Sequence, residues 1–82
     1  MHYVYILLLA NKKFYIGYTH ELKRKYYEHE NGKVKSTKHK RLLKLLYYEA
    51  FLSKKDAMRR EKYFKTTKGK STLRLMLRDT LK

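Results

Sequence analysis

The sequence predicts an α+β fold, a small three-stranded sheet, mixed or antiparallel, flanked by helices in the order β-β-α-β-α-α. Three observations carry this. An unbroken apolar run opens the chain, and a second aromatic run follows it at once across a polar turn. After Glu21 the pattern turns helical. One further short apolar run, Leu42–Phe51, separates the first helical segment from the last two.

Tyr3-Val4-Tyr5-Ile6-Leu7-Leu8-Leu9 is bounded by Asn11-Lys12-Lys13. A run this short, rich in β-branched and aromatic residues, is expected as a strand covered on both faces. Phe14-Tyr15-Ile16-Gly17-Tyr18 then makes the pair an antiparallel hairpin. Glu21–Glu30 reads as a helix stopped by Asn31-Gly32, two residue types that tolerate the backbone of a helix end. Gly32–Arg41 has no periodicity and carries five Lys or Arg with His39, and is expected as an exposed basic loop. Leu42–Phe51 is the third strand. Ser53-Lys54-Lys55-Asp56 has the form of a capping box, with Asp in place of Glu, and opens a helix to about Lys65. Lys68-Gly69-Lys70 is expected to break that helix. Ser71 or Thr72 would cap a last one, whose stripe Leu73, Met76, Leu77 and Thr80 follows i, i+3, i+4, i+7. With neither repeats nor linkers, one domain over residues 1–82 is expected.

Composition narrows the function. Lys and Arg number 22 against 7 Asp and Glu, a net charge of +15. At 43% hydrophobic, with nine Tyr and three Phe, the chain is too apolar for a disordered basic tail. It is expected to fold against its own repulsion and to meet a polyanion, nucleic acid first. It has no cysteine, which excludes a disulfide scaffold and a thiolate metal site. The longest apolar run, Tyr3–Ala10, is eight residues, whereas a spanning helix needs about 20. No Lys or Arg precedes that run and no small-residue cleavage site follows it, so neither membrane nor export is expected and the cytoplasm is the default. The charge is uneven: residues 1–22 carry +1, residues 23–44 carry +7 and the remainder +7.

Three groups of polar residues sit where apolar ones are expected. On the first helix Leu22, Lys25, Tyr26 and His29 share a face at about 100° per residue, with Arg24, Tyr27 and Glu28 elsewhere. Lys25 and His29 then flank buried surface, either as a snorkelling lysine and a satisfied histidine or as working groups. On the second helix Glu61 interrupts the stripe of Ala57 and Phe64. A carboxylate there must be paired, with Lys65 at i+4 or with the first helix, or bound to metal. In the hairpin, Tyr5 and Tyr15 fall on adjacent strands with Tyr3 and Gly17 on matching parity. Tyrosines suit strands in any case, but Gly17 admits a close approach by a ligand or by backbone.

Taken together these residues resemble a known family. Tyr3-Val4-Tyr5 followed by Tyr15-Ile16-Gly17 is similar to the paired motif of the GIY-YIG nucleases. The similarity continues through Glu21-Leu22-Lys23-Arg24, Glu28-His29 and Ala57-Met58-Arg59-Arg60-Glu61, over nearly the whole chain. The short, single-domain bacterial members match best, and these are similar to the nuclease domain of the UvrC excision-repair subunit. The resemblance implies a metal-dependent DNA endonuclease, structure- or strand-selective and linked to DNA repair or processing. Tyr5 and Tyr15 match the motif tyrosines that position or deprotonate the attacking water. Glu61 matches the single carboxylate that holds Mg²⁺ or Mn²⁺. His29 matches a histidine four residues beyond the catalytic arginine. That arginine's own position is Lys25 here, with Arg24 one residue earlier, and lysine keeps the charge but loses the bidentate fork.

Lys33, Lys35, Lys38, Lys40 and Arg41 in the loop, with Lys65, Lys68 and Lys70, read as contacts to a phosphate backbone, which position a strand without reading its sequence. Selectivity then comes from substrate structure or from a protein partner. Three readings remain open at this level. They are the endonuclease, a nucleic-acid-binding module of the same fold with chemistry weakened at Lys25, and an RNA-binding or ribosome-associated protein.

Overall fold

A computed structural model describes residues 1–38 and 44–82. It contains strands β1 (His2–Leu8), β2 (Phe14–Thr19) and β3 (Lys44–Phe51), helices α1 (Leu22–Glu30), α2 (Lys54–Phe64) and α3 (Thr67–Met76), and a 3₁₀ turn at Lys35–Thr37. The expected element order holds. The strand order is β2-β1-β3, with β1 antiparallel to both neighbours. Being central, β1 is covered on both sides: Val4, Tyr5, Ile6 and Leu7 are all buried. Alternation sends Val4 and Ile6 to one face and Tyr5 and Leu7 to the other.

The first face carries the main core. Val4, Ile6 and Ile16 pack with Ala57 and Phe64 of α2 and with Leu73 and Leu77 from α3 and its end. The register of β1 on β3 slips between Ile6 and Leu7, where Ile6 faces Tyr47 and Leu7 faces Leu45, so Leu46 has no opposite residue. This bulge lets Leu46 and Tyr47 both join the core. The second face carries Tyr3, Tyr5, Tyr15, Gly17 and Tyr48 by register, and α1 lies against it.

Local signals explain most boundaries. Lys12, at φ +68°, closes the hairpin turn, and its N–H donates to the Leu9 carbonyl at 2.9 Å. Asn31 caps α1, and Gly32, also at φ +68°, continues the reversal. Ser53 caps α2 by accepting from the Asp56 N–H at 3.5 Å, but Asp56 turns its carboxylate to Arg59 at 3.0 Å. Among the described residues no helix is long and apolar enough to cross a membrane.

Two expectations need correction. The helix break falls at Lys65-Thr66, and Lys68-Gly69-Lys70 lies inside α3. Thr66, not Ser71 or Thr72, is the cap, accepting from the Gly69 N–H at 2.9 Å. Of the expected stripe only Leu73 and Leu77 are buried; Met76, the last residue of α3, and Thr80, beyond its end, are exposed. The loop after α1 is also not wholly exposed, since Thr37 is buried. The start expected for β3 at Leu42 lies outside the described residues.

Candidate functional site

The hairpin register sets Tyr5 opposite Gly17 and Leu7 opposite Tyr15. A Cβ on Gly17 would overlap the Tyr5 ring at its Cζ and hydroxyl. The glycine therefore lets Tyr5 lie across β2 toward Tyr15. The two rings tilt together with centroids 6.3 Å apart. His29, in the last turn of α1, meets both edge-on, at 5.6 Å from Tyr5 and 4.9 Å from Tyr15. Tyr5 Oη lies 2.9 Å from His29 Nε2, and His29 Nδ1 lies 2.8 Å from Thr37 Oγ1.

The direction of these bonds follows from burial. His29 is 1% exposed. Burial, and then the charge of Lys25, hold its pKa below the ordinary histidine value, with Glu28 opposing. It is therefore neutral near pH 7, with one N–H donor and one acceptor nitrogen. The Thr37 hydroxyl donates to the Val34 carbonyl at 3.5 Å, so its oxygen accepts from Nδ1–H. Nε2 is left to accept from the Tyr5 hydroxyl. Tyr5 itself stays protonated, because burial, reinforced by Tyr15 and by the charge of Glu61, raises its pKa far above the ordinary value.

The buried imidazole makes stability pH-dependent. In the unfolded chain His29 titrates near pH 6.5. Below that pH the unfolded state binds a proton that the folded site refuses, so unfolding becomes easier. Stability is expected to be full above about pH 7 and to fall as the pH drops through 6.5 toward the depressed folded value. Denaturant melts across this range should show the slope, and His29→Gln should flatten it.

The remaining predicted residues divide. Lys25 lies beside His29, its side chain 35% exposed, with Nζ 3.4 Å from Glu28. Arg24 points away: its side chain is 65% exposed and pairs with Glu21 at 2.6 Å. Glu61 is largely buried, with its side chain 16% exposed, and pairs with Lys65 at 3.3 Å, while its charge is still felt at Tyr5. Lys33, Lys35, Lys38, Lys65, Lys68 and Lys70 are exposed. They do not share one layer, because the first three follow α1 and the last three follow or lie on the α2–α3 side. Lys40 and Arg41 lie outside the described residues. Arg60, beside Glu61 in sequence, is structural. Its Nε and Nη2 donate to the two Glu49 oxygens at 2.8 and 3.1 Å, and its guanidinium sits 4.3 Å over the Phe64 ring.

The tyrosine pair and the histidine thus meet on the α1 face of the sheet, while Glu61 comes from α2 and its charge bears on Tyr5. Over residues 1–74 the chain matches the GIY-YIG catalytic domain. The chain belongs to the GIY-YIG family. It is 41% identical over 66 residues to a UPF0213 protein of Bacillus pumilus, covering 79% of this chain and 67% of that one. It is 44% identical over 70 residues to a UPF0213 protein of Streptococcus pyogenes, covering 84% and 76%. The solution NMR structure of the UPF0213 protein BH0048 from Bacillus halodurans superposes with a TM-score of 0.60 at 36% identity, covering 92% of this chain and 83% of that one. The α+β order of the GIY-YIG fold is therefore shared with a solved relative.

Two site residues are absent from the sequence reading. Thr37 orients His29, and Ser36 donates to the Tyr15 hydroxyl at 3.3 Å. The available signal was Ser36-Thr37 itself, two neighbouring hydroxyls in a run of lysines and so the residue types able to satisfy a buried imidazole.

Proposed function

We propose that this GIY-YIG chain is a divalent-metal-dependent DNA endonuclease that selects its substrate by structure or strandedness, in DNA repair or processing. The observation that carries the reading is the hydrogen-bonded series Tyr5–His29–Thr37, with Tyr15 against it and the charge of Glu61 bearing on Tyr5. A neutral histidine whose acceptor nitrogen faces a phenol can relay that phenol's proton.

Glu61 suits a hard cation. It is a carboxylate that is largely enclosed and, among the described residues, is paired with one lysine, and among those residues no group of three or more His, Cys, Asp or Glu gathers to make a closed metal cage. Mg²⁺ and Mn²⁺ accept one protein carboxylate, with water and phosphate oxygens completing the shell. When bound, such an ion neutralises charge on the phosphoryl oxygen and steadies the leaving oxygen.

The chain's own residues do the rest. A water against the phosphate gives a proton to the Tyr5 hydroxyl while the Tyr5 proton crosses to His29 Nε2. The hydroxide so formed adds to phosphorus, and the P–O bond to the leaving sugar oxygen breaks, that oxygen taking a proton from solvent. Tyr15 flanks the water, and Thr37 keeps the imidazole in the accepting tautomer. Lys25 supplies positive charge near the phosphorus.

A second reading, a binding module without efficient chemistry, draws on the Lys25–Glu28 pair at 3.4 Å, which occupies the cation in the arginine's place. One panel separates them: single-stranded, duplex, flapped and branched DNA with Mg²⁺, Mn²⁺ or EDTA. The nuclease should cut at least one form with either ion and none in EDTA, and Lys25→Ala should slow it by roughly 100- to 1000-fold. Bound but uncut DNA of every form, restored to cleavage by Lys25→Arg, would establish the binding module.

A further inference from the structure

Beside the tyrosine–histidine site lies a groove of about 920 Å³, open to solvent, between α1 and the β1–β3 end of the sheet. Four tyrosines, Tyr3, Tyr26, Tyr27 and Tyr48, dominate its described lining, and Lys23 and Arg24 stand in it. Tyr27 and Tyr48 are 52% and 51% exposed, so their aromatic surface is not spent on the core. Tyr48 meets Tyr3 edge-on at 6.0 Å, which leaves a face open, and the Lys33 ammonium sits 5.6 Å over the Tyr27 ring. Glu21, the carboxylate of the lining, is tied to Arg24 at 2.6 Å.

We infer that this groove is a stacking site for the unpaired bases of single-stranded DNA, leading that strand to Tyr5. The inference rests on the nuclease reading and adds to it the strand form selected. Three observations favour this occupant. The chain's +15 charge suits a polyanion, and Lys23, Arg24 and Lys33 place cations where a backbone would run. Tyrosines outnumber the aliphatic Leu22 and Leu45 in the lining, and any base can stack on a phenol ring whatever the sequence. The groove also lies next to the site, because Tyr3 in its lining and Tyr5 are two residues apart on one sheet face, roughly 7 Å. A base stacked at Tyr3 thus holds the adjoining phosphodiester near Tyr5 and His29. A duplex keeps its bases stacked inside and cannot use these rings.

The test is binding of a fluorescent oligo-dT and of a duplex of equal length by anisotropy, in EDTA so that no cleavage intervenes. Tyr48→Ala and Tyr27→Ala should each weaken oligo-dT binding by roughly tenfold and leave duplex binding within twofold. Tyr48→Phe should restore it, and oligo-dT should quench wild-type tyrosine fluorescence. Both positions are exposed, and unchanged thermal melts will confirm folding. Oligo-dT binding indifferent to both alanines, or an equal loss on the duplex, overturns the groove. Running the wild-type cleavage panel alongside keeps the two ideas apart, since cleavage that persists while the alanines leave binding unmoved sinks the groove and not the nuclease.

Discussion

Gly69→Ala is expected to cost about 3 kcal/mol of folding stability, at the upper end of what one inserted methyl does in a packed interior. The new Cβ would overlap the Tyr63 carbonyl oxygen and come within 2.7 Å of Phe64 Cα. Both are backbone atoms at the end of α2, so no side chain can swing aside. Relief requires α3 to lift from α2, and α3 carries Leu73 and, at its end, Leu77 into the core. Differential scanning calorimetry should show a fall in Tm of roughly 12–24 °C for a domain of this size. Lys70→Ala, one residue on and exposed, should stay within about 0.5 kcal/mol of wild type. Equal stability of the two variants would mean that α3 does not approach α2 this closely.

Glu61→Gln is expected to lower metal-dependent DNA cleavage by roughly 1000-fold or to background, as loss of a charge that organises the transition state does. Glutamine keeps the shape of the side chain and removes its charge. The structural loss is small, because the partner is Lys65 at i+4 with its side chain 55% exposed, and such helical pairs contribute at most about 0.5 kcal/mol. Cleavage rate and thermal melt, measured on the same preparation, should therefore separate: activity lost, Tm held. Cleavage that survives the substitution would remove Glu61 from the metal, and a collapsed Tm would make it a structural carboxylate.

Glu61 also shows how far the chain could be read in one dimension. Its place in an apolar stripe is visible from spacing, and so are both of its uses, a lysine four residues on and a metal. Folding does not choose between them by position alone, because the Lys65 pair and the influence on Tyr5 occur together. Arg24 and Lys25 are the reverse case. Adjacent in sequence and alike in charge, they part by about 100° on the helix. One reaches solvent and Glu21, and the other lies beside His29. Helical geometry predicted that split. It did not predict that Glu28 would hold Lys25.

The sequence by itself determined the element order, the central two-faced strand, the caps at Asn31 and Ser53, and membership of the GIY-YIG family. Each depends on period, local backbone preference or a spaced motif, and all of these are written within a few residues. Only the tertiary structure decided where α3 begins, what Gly69 is for and which groups turn toward His29. Gly69 reads locally as a breaker but serves a close crossing of two helices. Thr37 reads as a loop residue but completes a buried imidazole. The groove of tyrosines likewise exists only because α1 and β3 approach from distant parts of the chain. Such roles depend on what stands opposite a residue across the fold, and in the chain that partner is many positions away.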